Sequence, residues 1–198
     1  PSLSLSNNLN IMDIHSILNI ISPIPSQSVK LLTDQVVPVF FKKGEIIFEA
    51  GKVETNIYFI KKGIVRAYAY HNDLEVTFWF GSEGETILSM KNYVQQTRSY
   101  ESIEALEDVE LYKISGEKLQ ELYLQDIYIA NWGRKLAEME LLKTEQHLIS
   151  RQFKSATERY TELINRTPHL LQRVALGHIA SYLGITQVSL SRIRSEMK

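Results

Sequence analysis

The sequence predicts a mixed α+β chain in three parts: a β-rich N-terminal part with flanking helices, one long helix, and a C-terminal helix-turn-helix. Three observations predict it. Short runs rich in Val, Ile, Tyr and Phe, separated by turn residues, fill residues 35–115. From about Ser115 onward the apolar period lengthens to that of a helix. Between Leu176 and Ile193, eight residues stand at the offsets of two helices joined by a tight turn.

Within residues 8–34, Ile11, Ile14, Ile17, Leu18 and Ile21 stand at helical spacing, and Pro23 and Pro25 break that run. The strand candidates that follow are Val36–Phe41, Ile46–Phe48, Ile57–Lys61, Ile64–Tyr70, Leu74–Phe80 and Val109–Ile114. In the fifth, Leu74, Val76, Phe78 and Phe80 alternate with Glu75, Thr77 and Trp79, which predicts a single apolar face. Turn chemistry at Lys43-Gly44-Glu45, Ala50-Gly51-Lys52, Lys62-Gly63 and His71-Asn72-Asp73 separates the runs. Many short strands at close spacing imply a sandwich or a β-roll.

In the helical stretch, Ile129, Trp132, Leu136, Met139, Lys143 and Gln146 follow alternating steps of three and four residues, the spacing of a coiled-coil seam. Such a helix can lie against the β-rich part or pair with its copy. Trp132 among helix-forming neighbours favours the copy, so Ile129, Trp132, Leu136 and Met139 are read as a dimer seam. Ser155-Ala156-Thr157-Glu158 then has the form of a capping box, so one helix ends near Phe153 and another begins, with a hinge between them. Thr167-Pro168 starts a further short helix, with Pro in a tolerated first-turn position.

The segment Leu176–Ser195, LGHIASYLGITQVSLSRIRS, carries the most chemistry. Small Ala180 lets two helices cross closely, and Gly184 can take the left-handed conformation of a tight turn. Ile179, Leu183, Ile185, Leu190 and Ile193 fill the space between the helices, and Thr186 can cap the second. On that second helix Leu190, Ile193 and Met197 are expected inward, with Val188, Arg192 and Ser195 opposite. A face of this kind can enter the major groove of DNA. Arg192 suits guanine, Gln187 adenine, and Val188 a thymine methyl. Ser189, Ser191 and Arg194 suit phosphates, although Arg194 also fits as a solvated cation near the helix C-terminus. An ordinary helical hairpin is the plainer alternative.

Charge agrees with this placement. Residues 1–129 hold 11 basic and 17 acidic side chains, and residues 130–198 hold 11 basic and 6 acidic. An anionic partner is therefore expected at the C-terminal end. With 198 residues, 44% of them apolar, and 9 Gly and 5 Pro, the chain suits one or two folded domains. The absence of Cys excludes disulfides, thiolate zinc sites, Cys-ligated iron–sulfur clusters and a Cys nucleophile. No apolar run approaches membrane-spanning length and the first ten residues lack a secretory signal, so a cytoplasmic protein that does not contact the membrane is expected.

From about Val36 to Met197 the chain resembles the Crp/Fnr family of bacterial transcription regulators. The stretches FKKGEIIFEAG, NIYFIKKGIVRAY and IEALEDVELYKI are similar to its strands, and Gly44, Gly51, Gly63 and Gly84 fall where the family places structural glycines. The resemblance implies a double-stranded β-helix (a jelly-roll-like β-roll) as a cyclic-nucleotide-binding-like effector domain over 1–126, a dimerisation helix over 127–154, and a DNA-binding domain over 155–198. It also implies a homodimer on a two-fold operator, contact with RNA polymerase, and an unidentified small-molecule effector. The effector pocket would involve Leu88, Ser89, Met90, Arg98, Ser99 and Thr144. The cyclic-AMP-binding members carry Gly-Glu-Leu near the start of their phosphate cassette, where this chain has Leu88-Ser89-Met90. Arg98-Ser99 remain, and Arg suits bidentate phosphate contact. Without the ribose anchor a cyclic nucleotide is not the favoured cofactor. Many members add a β-hairpin wing after the recognition helix, and this sequence ends at Lys198, so wing contacts are not expected of it.

Two other classes compete. A cupin-like metalloenzyme needs clustered ligands, but His15, His71, His147, His169 and His178 are scattered. With no G-x-S-x-G, Walker loop or dinucleotide fingerprint either, no enzyme is expected. The other alternative is a ligand-sensing or protein-interaction module with a vestigial DNA-binding half. The intact Ala180–Gly184–Ile193 frame argues against it.

Overall fold

A computed structural model describes residues 11–197. Two short helices come first, α1 (Ile14–Ile21) and α2 (Ser26–Thr33), and the prolines that break the apolar run fall at the link between them. Asp13 caps α1 by accepting from the Ser16 amide. Eight strands follow among the described residues: β1 (Val37–Phe41), β2 (Ile46–Phe48), β3 (Ile57–Lys62), β4 (Val65–His71), β5 (Leu74–Gly81), β6 (Thr86–Ile87), β7 (Ser102–Ala105) and β8 (Val109–Ile114). They form two four-stranded sheets ordered β1-β8-β3-β6 and β2-β7-β4-β5, with antiparallel pairing throughout. Phe48, Tyr58, Ile60, Val65, Ala67, Ile103 and Leu111 fill the space between them. This is the expected β-roll.

Three pieces of it lie outside the strand candidates of the sequence: β6, β7, and the helix α3 (Met90–Gln95) between them. β6 has two residues, too few to display a period. β7 contains Glu104 and Ser102 beside Ile103 and Ala105, so its alternation is short and half polar.

The expected single apolar face of β5 is corrected by a bulge. The ladder pairs Ala67 with Trp79 but Tyr68 with Thr77, leaving Phe78 as an extra residue. Past the bulge the faces exchange. Trp79 packs toward the interior of the roll, and Phe80 turns outward into a core shared with the C-terminal helices. Thr77, on the polar side of the expected alternation, is fully buried.

After α4 (Gly116–Gln125) comes the long helix α5 (Ile127–Phe153). Asp126 caps it, accepting from the Tyr128 and Ile129 amides, and its other oxygen accepts from the Ser28 hydroxyl at 2.7 Å. Here the expected dimer seam is corrected. Ile129, Trp132 and Leu136 are buried within the chain itself, against α1, α2 and β3, and Met139 packs at the margin of that core. Trp132 donates from Nε1 to the Leu18 carbonyl at 3.0 Å and meets Phe59 edge-on, with ring centroids 6.1 Å apart. A three–four spacing builds one apolar stripe, and the nearest apolar surface in the same chain takes it. Further along α5, Leu141, Leu142, Leu148, Ile149 and Phe153 are all exposed in the single chain. Among the described residues no helix is long and apolar enough to cross a membrane.

Candidate nucleic-acid interface

The C-terminal segment is built from the caps that its sequence supplies. Ser155 and Glu158 form the complete capping box that starts α6 (Ala156–Arg166). A four-residue helix, α7 (Leu170–Arg173), follows Thr167-Pro168. Helix α8 (Leu176–Leu183) ends at Gly184, whose φ of +69° is the left-handed conformation that favours glycine. Thr186 then caps α9 (Gln187–Glu196) by accepting from the Ser189 amide. Ala180 is buried where the helices approach, and Ile179, Leu183, Leu190 and Ile193 form the core between them, with Ile185 packed at its edge.

That packing turns one face of α9 outward. Val188 is 81% exposed and the Arg192 side chain 78% exposed. Gln187, Ser191 and Ser195 are exposed beside them. Arg192 Nε lies 3.6 Å from Glu196 Oε1, a surface pair weak enough for a stronger anion to displace. Arg194 is half-buried on the flank. The Ser189 hydroxyl lies 2.9 Å from the Thr186 hydroxyl, so it takes part in the cap as well as facing the flank. Met197 departs from its expected inward position: it is 45% exposed, because α9 ends at Glu196 and nothing in the core reaches past Ile193.

The residues expected around an effector pocket are dispersed into structural roles. Ser89 caps α3 by accepting from the Asn92 amide, and Leu88 packs against the α5 core. Met90 and Arg98 are exposed. Ser99 is buried and donates to the carbonyls of Glu49 and Glu101. Thr144 is exposed on α5 and donates to the Glu140 carbonyl at 2.8 Å. Beside Ser99, the Glu101 side chain is buried, and its Oε2 has no partner among the described residues. No group of three or more potential ligands is placed to hold a metal among the described residues.

Sequence reasoning missed how the C-terminal helices dock on the β-roll. Arg173 spans two turns of the roll: it donates to Glu83 at 2.7 and 3.1 Å and pairs with Glu107. Glu83 also accepts from the Gly63 amide at 2.9 Å. Burial pushes the Glu83 carboxyl up, but the bonds from Arg173 and Gly63 outweigh it and hold the group below its ordinary value. Ser181 of α8 treats the edge strand β5 as a neighbouring strand would. Its hydroxyl donates to the Glu75 carbonyl and accepts from the Thr77 amide, both at 2.9 Å. Beneath it Arg66 is buried and pairs with Glu75 and Glu104. His178 Nδ1 is 3.9 Å from Glu75, and burial together with Arg66 holds that imidazole below its ordinary value. Tyr182 lies on the Phe80 ring at 5.2 Å. The one signal for this dock in the sequence is the cost of burying Arg66 in a strand, and it names no partner.

The comparisons fit this geometry. Residues 38–126 match the family model described as Cyclic nucleotide-binding domain. Among solved structures, FixK2 from Bradyrhizobium japonicum is similar at 22% identity and a TM-score of 0.72, covering 82% of this chain and 84% of that one. The catabolite activator protein of Thermus thermophilus matches at 20% identity and a TM-score of 0.58, covering 92% and 86%. A chain described as a regulator of the crp/fnr family from Eubacterium rectale matches at 20% identity and a TM-score of 0.67, covering 86% and 82%. A search of curated proteins finds no matching sequence. The chain thus has the fold of the Crp/Fnr-type regulators, and its match to the cyclic nucleotide-binding domain model lies within the β-roll and the helices around it.

Proposed function

We propose that the chain is a sequence-specific DNA-binding transcription regulator that acts as a homodimer and reads the major groove with α9. The observation that carries this reading is the division of that helix. Leu190 and Ile193 are buried while Val188 and Arg192 stand clear of the surface. Arg192 then reads guanine, Gln187 adenine and Val188 a thymine methyl, while Ser191 and Arg194 hold phosphates. Ser189 adds a phosphate contact from the first turn of α9.

The second copy pairs through the distal half of α5. Leu141 with Leu148, and Leu142 with Ile149, lie seven residues apart, which supplies a coiled-coil seam on bare surface. This seam replaces the one spent inside the chain. A cyclic nucleotide is not the favoured effector of this reading, because Ser89, at the place of the ribose anchor, is used as a helix cap. RNA polymerase is the partner once the operator is bound.

The test is an operator selection from randomised duplexes with the full chain. The reading expects a two-fold site with half-sites about 34–36 Å apart, and affinity that falls steeply with salt. Recovery of no consensus, or a flat response to salt, overturns it.

A further inference from the structure

A cleft of ≈190 Å³ lies where α5, α6 and α8 meet, outside both the roll and the reading face. It far exceeds the roughly 10–15 Å³ that one water needs, and it is smaller than the roughly 300 Å³ of the smaller drug-sized sites. Its walls carry Lys143, His147, Arg151, Arg159, Glu162 and Arg166.

The charges there do not cancel. Glu162 is committed, with Lys154 at 2.8 Å, Arg166 at 3.0 Å and the Ser150 hydroxyl at 2.9 Å. Lys143 is held by Glu140 at 2.8 Å. Among the described residues Arg151 and Arg159 pair with no carboxylate. Arg159 donates to the carbonyls of Lys154 and Leu183, and its buried Nε has no partner. Arg151 has a single long contact, 3.5 Å to the Tyr182 carbonyl. His147 meets the Tyr182 hydroxyl at 3.2 Å through Nδ1, and its buried Nε2 is unpartnered too. Two guanidiniums without counter-ions thus face a concave space, and of its wall atoms Arg159 Nε and His147 Nε2 have no partner among the described residues.

We propose that this cleft binds the phosphate group of a small metabolite between Arg151 and Arg159. Two uncompensated positive charges match a phosphate dianion. Guanidinium donors converging from α5 and α6 suit tetrahedral oxygens better than a planar carboxylate. Burial, Arg151 and Arg159 together hold the His147 imidazole below its ordinary value, which is the response of a neutral ring beside unneutralised cations. A bound phosphate ties α5 to α6, whose Arg159 already holds the Leu183 carbonyl of α8, and Tyr182 of α8 rests on Phe80 of the roll. Its role as the effector site rests on the regulator reading; binding itself does not.

The test is calorimetric titration of the full chain with inorganic phosphate, beside malonate and beside chloride at matched ionic strength. The His147 ring is followed by NMR and assigned with His147→Gln. Phosphate is expected to bind saturably and more tightly than malonate, and to raise the His147 titration midpoint. Arg151→Gln should weaken phosphate at least tenfold, while Arg134→Gln, an exposed change elsewhere on α5, binds as the unaltered chain does. Equal responses to phosphate and chloride, tighter binding of malonate, or undiminished binding by Arg151→Gln overturns the proposal. So does a loss of DNA affinity in Arg151→Gln without any phosphate binding, which assigns these cations to the duplex backbone. Phosphate binding by a chain that selects no operator keeps the site and removes only its regulatory role.

Discussion

The two halves of α5 both carry apolar residues seven positions apart and meet different fates. The proximal half, Ile129 to Leu136, is buried against α1, α2 and β3 of the same chain. The distal half, Leu141 to Phe153, presents its leucines and isoleucine to solvent. Helical period reports that a stripe exists, and what lies alongside decides what covers it. The contrast also separates two tasks. The proximal half anchors the helix to the β-roll, and the distal half is left for the second copy that the proposed function calls for.

The contrast can be broken at either end. Trp132→Ala removes the largest fully buried side chain and its bond to Leu18, and should cost the folded chain about 3–5 kcal/mol in denaturant unfolding. A loss under about 1 kcal/mol would return Trp132 to an intersubunit role. Leu148→Glu should do the reverse. It places a charge in the proposed seam, so sedimentation should find monomers at micromolar concentration while the unfolding midpoint of the dissociated chain stays near that of the parent. An intact Leu148→Glu dimer would move the interface elsewhere.

The dock between the C-terminal helices and the roll sharpens the comparison at a third place. Arg173→Ala leaves Glu83 without its guanidinium and should cost about 1.5–3 kcal/mol, with hydrogen exchange rising first in α7 and in the turn around Glu83. Uniform exchange along the chain would mean the dock is not a separate unit. The smallest effect is the pH response of the same contact. The folded Glu83 carboxyl sits below its ordinary value, so its contribution is present above the unfolded value of about 4.3 and is lost as pH falls through the folded one. Limited proteolysis near Glu83 should therefore increase below about pH 4 in the parent, and that step should be absent in Glu83→Gln.

Much of this was legible because it depends on neighbours in sequence. The capping box at Ser155, the left-handed turn at Gly184 and the burial pattern of α8 and α9 are local, and their residue types state their geometry. So are the strand limits of Ile46–Phe48 and Val109–Ile114. What failed depends on residues far apart. A bulge that sends Phe80 outward is set by register against Ala67, which alternation within β5 cannot express. The burial of Trp132 depends on Leu18 and Phe59, both more than 70 positions away. Of the proposed reading face, Val188 and Arg192 were placed by period alone. Arg173 and Ser181 escaped notice because their partners, Glu83 and the backbone of β5, come together only after the roll has formed.

The most direct measurement compares Arg192→Ala with Arg194→Ala on a selected operator and on copies altered one base pair at a time, across a range of salt. Arg192→Ala should lose about 1–3 kcal/mol on the parent operator and become indifferent to the base at one position in each half-site. Arg194→Ala should weaken every site alike and reduce the salt slope by about one. Identical behaviour of the two variants, or full affinity in Arg192→Ala, would contradict the assignment of the exposed face of α9 to the bases.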